Sequence, residues 1–508
     1  MKKYILKFIL AFLTIFAISC ESYLDINQDP NVLSDTDQPK ILLPNAQVGL
    51  ANTLMGYDLG FGGAFWTQYW TQSYTASQFK TLCEYEETSF NDAYVEFTAV
   101  VLNDLKRMQT LSEDIAENQG YSYIAEALSI YTWQIMTDLW GDIPYSEALQ
   151  GNEGITAPKF DASEEIYADL EKRIDALLTI DVSEFAQIDA KFDFIYAGDF
   201  DAWKKFANSL KLKLMMRQSE TSNYNNSTVV SFVTNNLFID ESAKISGEIW
   251  EDGKEGKRHP MREFQEGGAN TLSTNVIGCK SFIDYLNSNS DPRIDALFTP
   301  PSEGHQGAFF GDFDSKKDSD LDGTLDEDED YSEALFAGDT DLIIISDWEV
   351  NFFIAEVYAR ANDLVNAKKY YDMGVTTSLA QNGISTTDII STGYAIWVDG
   401  TLEENLKQIA MQKWVANANY QHLESFLERN RTKYPALNPL DIKQDRNFAF
   451  LNFPIGDLTN SVNGRDKTNA KLPSSPVYPS DVLGRNINAP SQKTDLLQKV
   501  WWDKKVGN

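Results

Sequence analysis

Asp318, Asp320, Asp322, Thr324, Asp326 and Glu329 stand at the spacing of a calcium-binding loop, D-x-D-x-D-G-x5-E. Asp318, Asp320 and Asp322 supply hard carboxylate oxygens at alternate positions. Gly323 permits the sharp turn, and Thr324 offers its backbone carbonyl. Asp326 acts through water, and Glu329 closes the shell with a bidentate carboxylate. Leu325 is the apolar residue by which such loops dock onto structure. The flanking helices of an EF-hand are missing, because Gly307 to Lys317 reads as loop. The pattern points to a structural calcium ion rather than a sensor, with a solvated acidic loop as the competing reading.

A second constellation is aromatic. The stretch from Phe61 to Tyr74 interleaves Phe65, Trp66, Tyr69, Trp70 and Tyr74 with Gly, Thr, Gln and Ser. Sugar rings present apolar C–H faces that stack on Trp and Tyr, while their hydroxyls need amide and hydroxyl partners. Trp66, Tyr69, Trp70 and Tyr74 are therefore candidate ligand contacts. Their spacing of i, i+3, i+4 and i+8 is also that of a helical stripe buried in a core, and both readings stand at this level. Trp250 and Trp397 are lesser candidates in loop-like surroundings.

Charge narrows the function classes. The 508 residues carry 76 acidic and 43 basic side chains, a formal net charge of −33, which disfavours nucleic acid as a partner. The cysteines are Cys20, Cys83 and Cys279, with no C-x-x-C pair and no neighbouring histidine, so they do not suggest a zinc site. Cys83 and Cys279 are read as two buried thiols, with a disulfide as the alternative. His259, His305 and His422 are isolated.

The N-terminus reads as a signal. Lys2, Lys3 and Lys7 precede an apolar run from Phe8 to Ile18, shorter than the roughly 20 residues that span a bilayer. The run ends in Ala17-Ile18-Ser19-Cys20, like a bacterial lipoprotein signal in which Cys20 becomes the lipidated first residue. Removal of residues 1–19, which hold three lysines and no acids, takes the net charge to −36. Residues 20–40 are a polar tether, and 41–508 form a single domain.

Helical periodicity dominates that domain. Ile166, Leu170, Ile174 and Leu177 mark one helix face, with Asp161 and Glu164 as a capping pair. Trp203, Phe206, Ala207, Leu210 and Leu214 mark another, and Tyr123 to Leu139 a third, stopped by Gly141 and Pro144. Further helices are expected near 90–112, 347–361, 364–380 and 402–430, and a short strand at Leu342 to Ile345. Ala355, Tyr358, Ala359, Ala367, Tyr370 and Tyr371 alternate small and aromatic residues, as a tetratricopeptide-like (TPR-like) helix pair requires. Residues 220–345 and 435–508 read as long loops, where binding function commonly sits.

Several ordered motifs together resemble the SusD/RagB family of nutrient-binding lipoproteins. They are Leu24 to Pro30; Thr137-Asp138-Leu139-Trp140-Gly141-Asp142-Ile143-Pro144-Tyr145-Ser146-Glu147-Ala148; Trp203 to Arg217; Asp291-Pro292-Arg293; Ala355-Glu356; Gln412-Lys413-Trp414; Asn430 to Pro435; and Val500-Trp501-Trp502-Asp503. Gly141 and Pro144 turn the chain, and Asp142, Tyr145 and Glu147 are placed to hydrogen-bond across that turn.

The resemblance implies a mostly α fold, with TPR-like pairs in a right-handed scaffold overlaid by long irregular loops and a few short strands. It also implies a non-catalytic lipoprotein at the outer-membrane surface that passes an oligosaccharide or a peptide to a TonB-dependent, SusC-like transporter. A helical glycoside hydrolase, with two carboxylates about 5–10 Å apart in a cleft, and a calcium-stabilised adhesin are the alternatives from other classes.

The loop pattern generates one prediction. Chelation should lower the melting temperature, calcium should restore it, and Asp320→Asn with Glu329→Gln should remove the effect. Identical melting curves with and without calcium would refute the site.

Overall fold

Helices whose apolar residues recur about every three to four positions frame the computed structural model, which describes residues 38–268, 271–312, 324, 327, 330–444 and 446–507. Helix α1 (Pro39–Leu54) packs on α2 (Asn103–Ser112) and on the π-helical turns Glu96–Leu102 that lead into it. The long α3 (Gln119–Trp140) lies between α2 and α4 (Ser163–Leu178), and α5 (Phe200–Arg217) follows against both α3 and α4. In the C-terminal half α6 (Asp347–Arg360) and α7 (Leu364–Gln381) form a tight hairpin. Helices α8 (Leu402–Asn417) and α9 (His422–Thr432) form the next pair.

The expected faces are the buried ones. Ile166, Leu170, Ile174 and Leu177 of α4 are buried, each contributing roughly 1.5–3 kcal/mol relative to exposure. Between α6 and α7, Ala355, Ala359 and Ala367 allow the close approach. Tyr358 and Tyr370 stack at 5.8 Å, and a Cβ on Gly374 would meet the Phe352 ring at 2.8 Å. Thr401 and Glu404 form a reciprocal cap at the start of α8.

The α4 cap differs from expectation. Asp161 does not cap it but accepts from the Tyr145 and Ser146 backbone N–H groups, at 3.2 and 2.7 Å. Asp142 instead accepts from Ser163 N at 2.8 Å, Tyr145 donates to Asp169 at 2.6 Å, and Glu147 accepts from Lys159 N at 2.9 Å. Loop closure across Gly141–Pro144 supplies the cap that local sequence was expected to give.

The segment read as loop over 220–345 holds more regular structure than its composition suggests. Helices Asn226–Asn235 and Lys280–Ser288 bury Val229, Val233, Phe282, Ile283 and Leu286. Two-stranded antiparallel pairs tie the segment down: Trp70–Gln72 with Val276–Gly278, Ala243–Ile245 with Leu342–Ile345, and Phe298–Thr299 with Glu333–Ala334. These elements are too short for periodicity to declare them. Cys83 and Cys279 are free and buried.

The aromatic stretch is not one helix. Helix ends at Trp66, Gln68 takes a positive φ of 60°, and Trp70 opens a strand. Trp66, at 2% exposure, packs between Phe90 and Phe426. Tyr69 and Trp70 are fully covered. The Tyr69 hydroxyl donates to the Trp414 carbonyl and meets Ser425, and Trp70 sits against Phe61 and His422. Trp66, Tyr69 and Trp70 are core, with no face left for a sugar. The alternation with Gly, Thr and Gln that suggested a ligand surface serves close packing instead. A Cβ on Gly63 would fall 2.5 Å from the His422 backbone.

The last feature of the core is ionic. Arg217 on α5 donates to Asp138 of α3 at 3.0 Å and to Glu424 and Glu428 of α9 at 2.6 Å each. Lys213 pairs with Glu424 at 2.6 Å and with Glu349 of α6. Arg431 bridges Glu356 of α6 at 2.6 Å and Glu428 at 2.7 Å, and Lys413 of α8 meets Glu428 at 3.1 Å. Outside this network, Arg293 forks onto Asp291 and donates to Gln412 at 2.9 Å. Burial pushes the Glu356 carboxyl up, but Arg431 and Arg360 outweigh it and hold it at about 2.

Two predictions follow from this packing. Trp70→Ala should destabilise the fold by about 3–5 kcal/mol, read as a lowered midpoint in denaturant, whereas an unchanged midpoint would show the ring to be dispensable. Glu356→Gln should cost about 3 kcal/mol, because buried Arg431 is left with the Glu428 carboxylate alone. The folded pKa of Glu356 lies below its ordinary value of 4.5, so its contribution is complete above that pH and lost as pH falls towards about 2. The stability gap between wild type and Glu356→Gln should therefore narrow across that window, and a gap independent of pH would contradict the assignment.

Candidate functional site

With Trp66, Tyr69 and Trp70 in the core, a binding surface has to come from aromatic rings that keep a face in solvent. Tyr57 does so, at 41% exposure. It begins the π-helical turn Tyr57–Phe61 directly after α1, so the scaffold fixes its backbone. Its ring rests on Phe61, Phe79 and Phe264 at centroid distances of 5.5, 5.7 and 6.0 Å. Phe61 and Phe79 stack on each other at 4.7 Å behind it. A ring backed this way is held rigid with its outer side free, which is the requirement for stacking on a flat apolar partner.

Hollows of about 260 and 370 Å³ flank this ring. Asn52, Thr53, Asp58, Asp92 and Glu96 line the smaller, and Gln78, Thr81, Glu87, Thr88 and Asn91 join Asp58 and Asp92 in the larger. Gln78 donates to the Tyr57 hydroxyl at 3.1 Å, and Asn275 donates to Gln78 at 2.6 Å. Asn275 also accepts from Ser73 N at 3.0 Å, which places Tyr74 in the neighbouring position. Tyr74 is half-buried against Tyr331, with ring centroids 5.8 Å apart. Burial pushes the Asp58 carboxyl above the ordinary carboxylate range; the Ala93 backbone N–H partly draws it back, and the like charge of Asp92 pushes it further up.

None of the expected contacts lines either hollow; Tyr74 is tied to this surface through its neighbour Ser73 and Asn275. Trp250 is half-buried, donating to the Thr340 carbonyl, and Trp397 is buried, donating to Asp399. Asp318, Asp320, Asp322, Asp326, Glu329 and Cys20 lie outside the described residues, and of the six expected calcium ligands Thr324 alone is within them. Sequence reasoning missed Tyr57, Asp58 and Gln78. The available signal was the pair Tyr57-Asp58 between a helix end at Gly56 and the Gly-rich stretch, but nothing local showed which ring stays uncovered.

A larger hollow of about 500 Å³ lies between α2, α3, α4 and the turn after Pro144, lined by Trp133, Tyr145, Asp161, Asp169 and Arg173. Its polar groups are turned on one another. Arg173 forks onto Glu126 at 2.7 and 2.8 Å and donates to the Tyr145 hydroxyl at 2.8 Å. Trp133 is only 5% exposed. This corner fixes the fold, and the Tyr57 groove is the better binding surface.

Known proteins agree with the architecture. The family model for SusD-like proteins, described as starch-binding and associating with the outer membrane, matches residues 30–450. No curated protein matches the chain. Among solved structures, a SusD homologue from Bacteroides uniformis is similar with a TM-score of 0.71 at 22% identity, covering 91% of this chain and 99% of that one. A chitin-binding SusD homologue from Flavobacterium johnsoniae gives a TM-score of 0.69 at 18% identity, covering 92% and 98%. A further chitin-binding protein gives 0.70 at 20% identity, covering 92% and 100%. At these identities the structures establish the fold, and the match over residues 30–450 establishes the family: the chain belongs to the SusD-like family.

Proposed function

We propose that this protein captures an oligosaccharide at the Tyr57 groove and hands it to a TonB-dependent, SusC-like transporter in the outer membrane, to which Cys20 anchors it by lipid. The observation that carries the binding step is the exposed Tyr57 ring, held by three phenyl groups and bordered by the Gln78 and Asn91 amides and the Thr88 hydroxyl. The apolar platform and the amide and hydroxyl groups beside it, set among the carboxylates of the same groove, together suit the two sides of a sugar. The family description as starch-binding and outer-membrane-associated supports the setting. Among the described residues no helix is long and apolar enough to cross a membrane, so attachment at Cys20 is the anchor this reading needs. A structural calcium ion at Asp318, Asp320, Asp322, Thr324, Asp326 and Glu329 belongs to the same reading.

A peptide ligand in place of the glycan would leave the transport role unchanged. One observation favours a different class: Asp58 and Asp92 share a groove, and the Asp58 carboxyl is shifted up as in a general acid. Against hydrolysis, an Asp58 oxygen is engaged by the Ala93 N–H at 3.0 Å, where it orders the chain after Phe90. Binding without turnover is the reading adopted.

Calorimetry of the protein from Glu21 onward against oligosaccharides and short peptides tests it. Tyr57→Ala should weaken oligosaccharide binding about tenfold, the value of a stacking platform of about 1–2 kcal/mol. The variant should stay folded with a modestly lower melting temperature, since the inner face of the ring packs on Phe61, Phe79 and Phe264 while the outer face is exposed. A peptide hit without a glycan hit would change the nutrient, and release of reducing ends by the purified protein would overturn the binding assignment in favour of hydrolysis.

A further inference from the structure

The charge of the Tyr57 groove differs in kind from the charge of the core. In the buried network each carboxylate faces a guanidinium or an ammonium within about 3 Å, as electrostatics in a poorly solvated interior requires. Among the described residues, the carboxylates of the groove face none. Asp58 and Asp92 line both hollows, Glu96 lines one and Glu87 the other, and no lysine or arginine lines either. Asp58 accepts from the backbone N–H groups of Ala93, at 3.0 Å, and Asp92, and Asp92 accepts from the Asn91 amide at 3.3 Å, none of them a charged donor. A metal ion does not account for this arrangement, since among the described residues no group of three or more His, Cys, Asp or Glu is placed to hold one. What remains is an aromatic platform inside an uncompensated negative field.

We propose that the Tyr57 groove selects by charge, taking oligosaccharides that carry free amino groups in preference to neutral ones and refusing polyanionic ones such as uronic acid oligomers. The inference rests on the reading of this groove as the glycan site. The physical cause is direct: a ligand ammonium between Asp58, Asp92 and Glu87 supplies the cation that the protein omits, whereas a ligand carboxylate adds to a repulsion already present between Asp58 and Asp92. A single ammonium–carboxylate approach at about 5 Å in water corresponds to about a fourfold gain in affinity.

The test compares three β-linked or α-linked hexamers of equal length on the purified full-length protein: glucosamine, N-acetylglucosamine and galacturonate. Titrations run in about 10 mM and about 1 M salt, where the screening length is about 30 and about 3 Å. The glucosamine hexamer should bind about fourfold or more tightly than its N-acetylated counterpart at low salt. The ratio should fall towards one at high salt and in the Asp92→Asn, Glu87→Gln double variant, and the galacturonate hexamer should not bind. Equal affinity for the two amino-sugar hexamers at low salt, or galacturonate binding as tight as either, overturns the charge selectivity and leaves the glycan site standing. Binding by no hexamer, or binding that Tyr57→Ala does not weaken, overturns the site and the selectivity together.

Discussion

A guanidinium with no exposed surface has to find its carboxylates, and that constraint fixes how the helices of this protein meet. Arg217 is fully buried and reaches Asp138 on α3 and both Glu424 and Glu428 on α9. Arg431 reaches Glu356 on α6, and Lys213 reaches Glu349 on the same helix. Each of these contacts joins helices far apart in the chain. A slip of one residue along any of them would strand a charge in a medium that solvates it poorly, and the penalty of several kcal/mol makes such registers unpopulated. Hydrophobic burial supplies the larger share of stability, but it tolerates alternative packings that the ion network does not.

The rigidity of that frame explains where the proposed binding surface sits. Helix α1 ends at Leu54, and the next ordered turn presents Tyr57 on a wall formed by Phe61, Phe79 and Phe264. Phe61 belongs to the same turn, while Phe264 comes from the segment between α5 and α6. The platform is thus assembled from both halves of the chain, with the strand pairing of Trp70–Gln72 and Val276–Gly278 holding the two segments together. Side chains in such a mount lose little freedom on binding, which favours affinity.

Acidic residues perform opposite work in the two places. Inside, the arginines around Glu356 outweigh the burial that would neutralise it, and the carboxylate stays charged and structural. In the groove, burial acts on Asp58 without a cation to oppose it, and its carboxyl is shifted upward. The large net negative charge of the sequence is therefore not a uniform property of the molecule. In the interior network each carboxylate meets a cation, while the groove carboxylates meet none among the described residues.

Much of the frame was legible in the sequence, because a helix face repeats and therefore announces itself. The α4 stripe, the small-and-aromatic alternation of α6 and α7, and the Gly141–Pro144 turn lie where local rules put them, and the ordered motifs identified the family. The motif residues Asp138, Arg217, Glu356 and Arg431 were visible too, but not that Arg217 meets Asp138 and Arg431 meets Glu356 in the core. Trp66, Tyr69 and Trp70 show the limit. Their residue types suit a core and a sugar platform equally, and only the arrival of Phe426, Trp414 and His422, more than three hundred residues away in the chain, covers them. Tyr57 is the converse case, a ring that keeps a face uncovered among the described residues. The sequence by itself determined the elements and the family, since those follow from short-range spacing and ordered motifs; burial is a property of distant neighbours, and so the tertiary structure alone decided which aromatic rings are core and which keep a face in solvent.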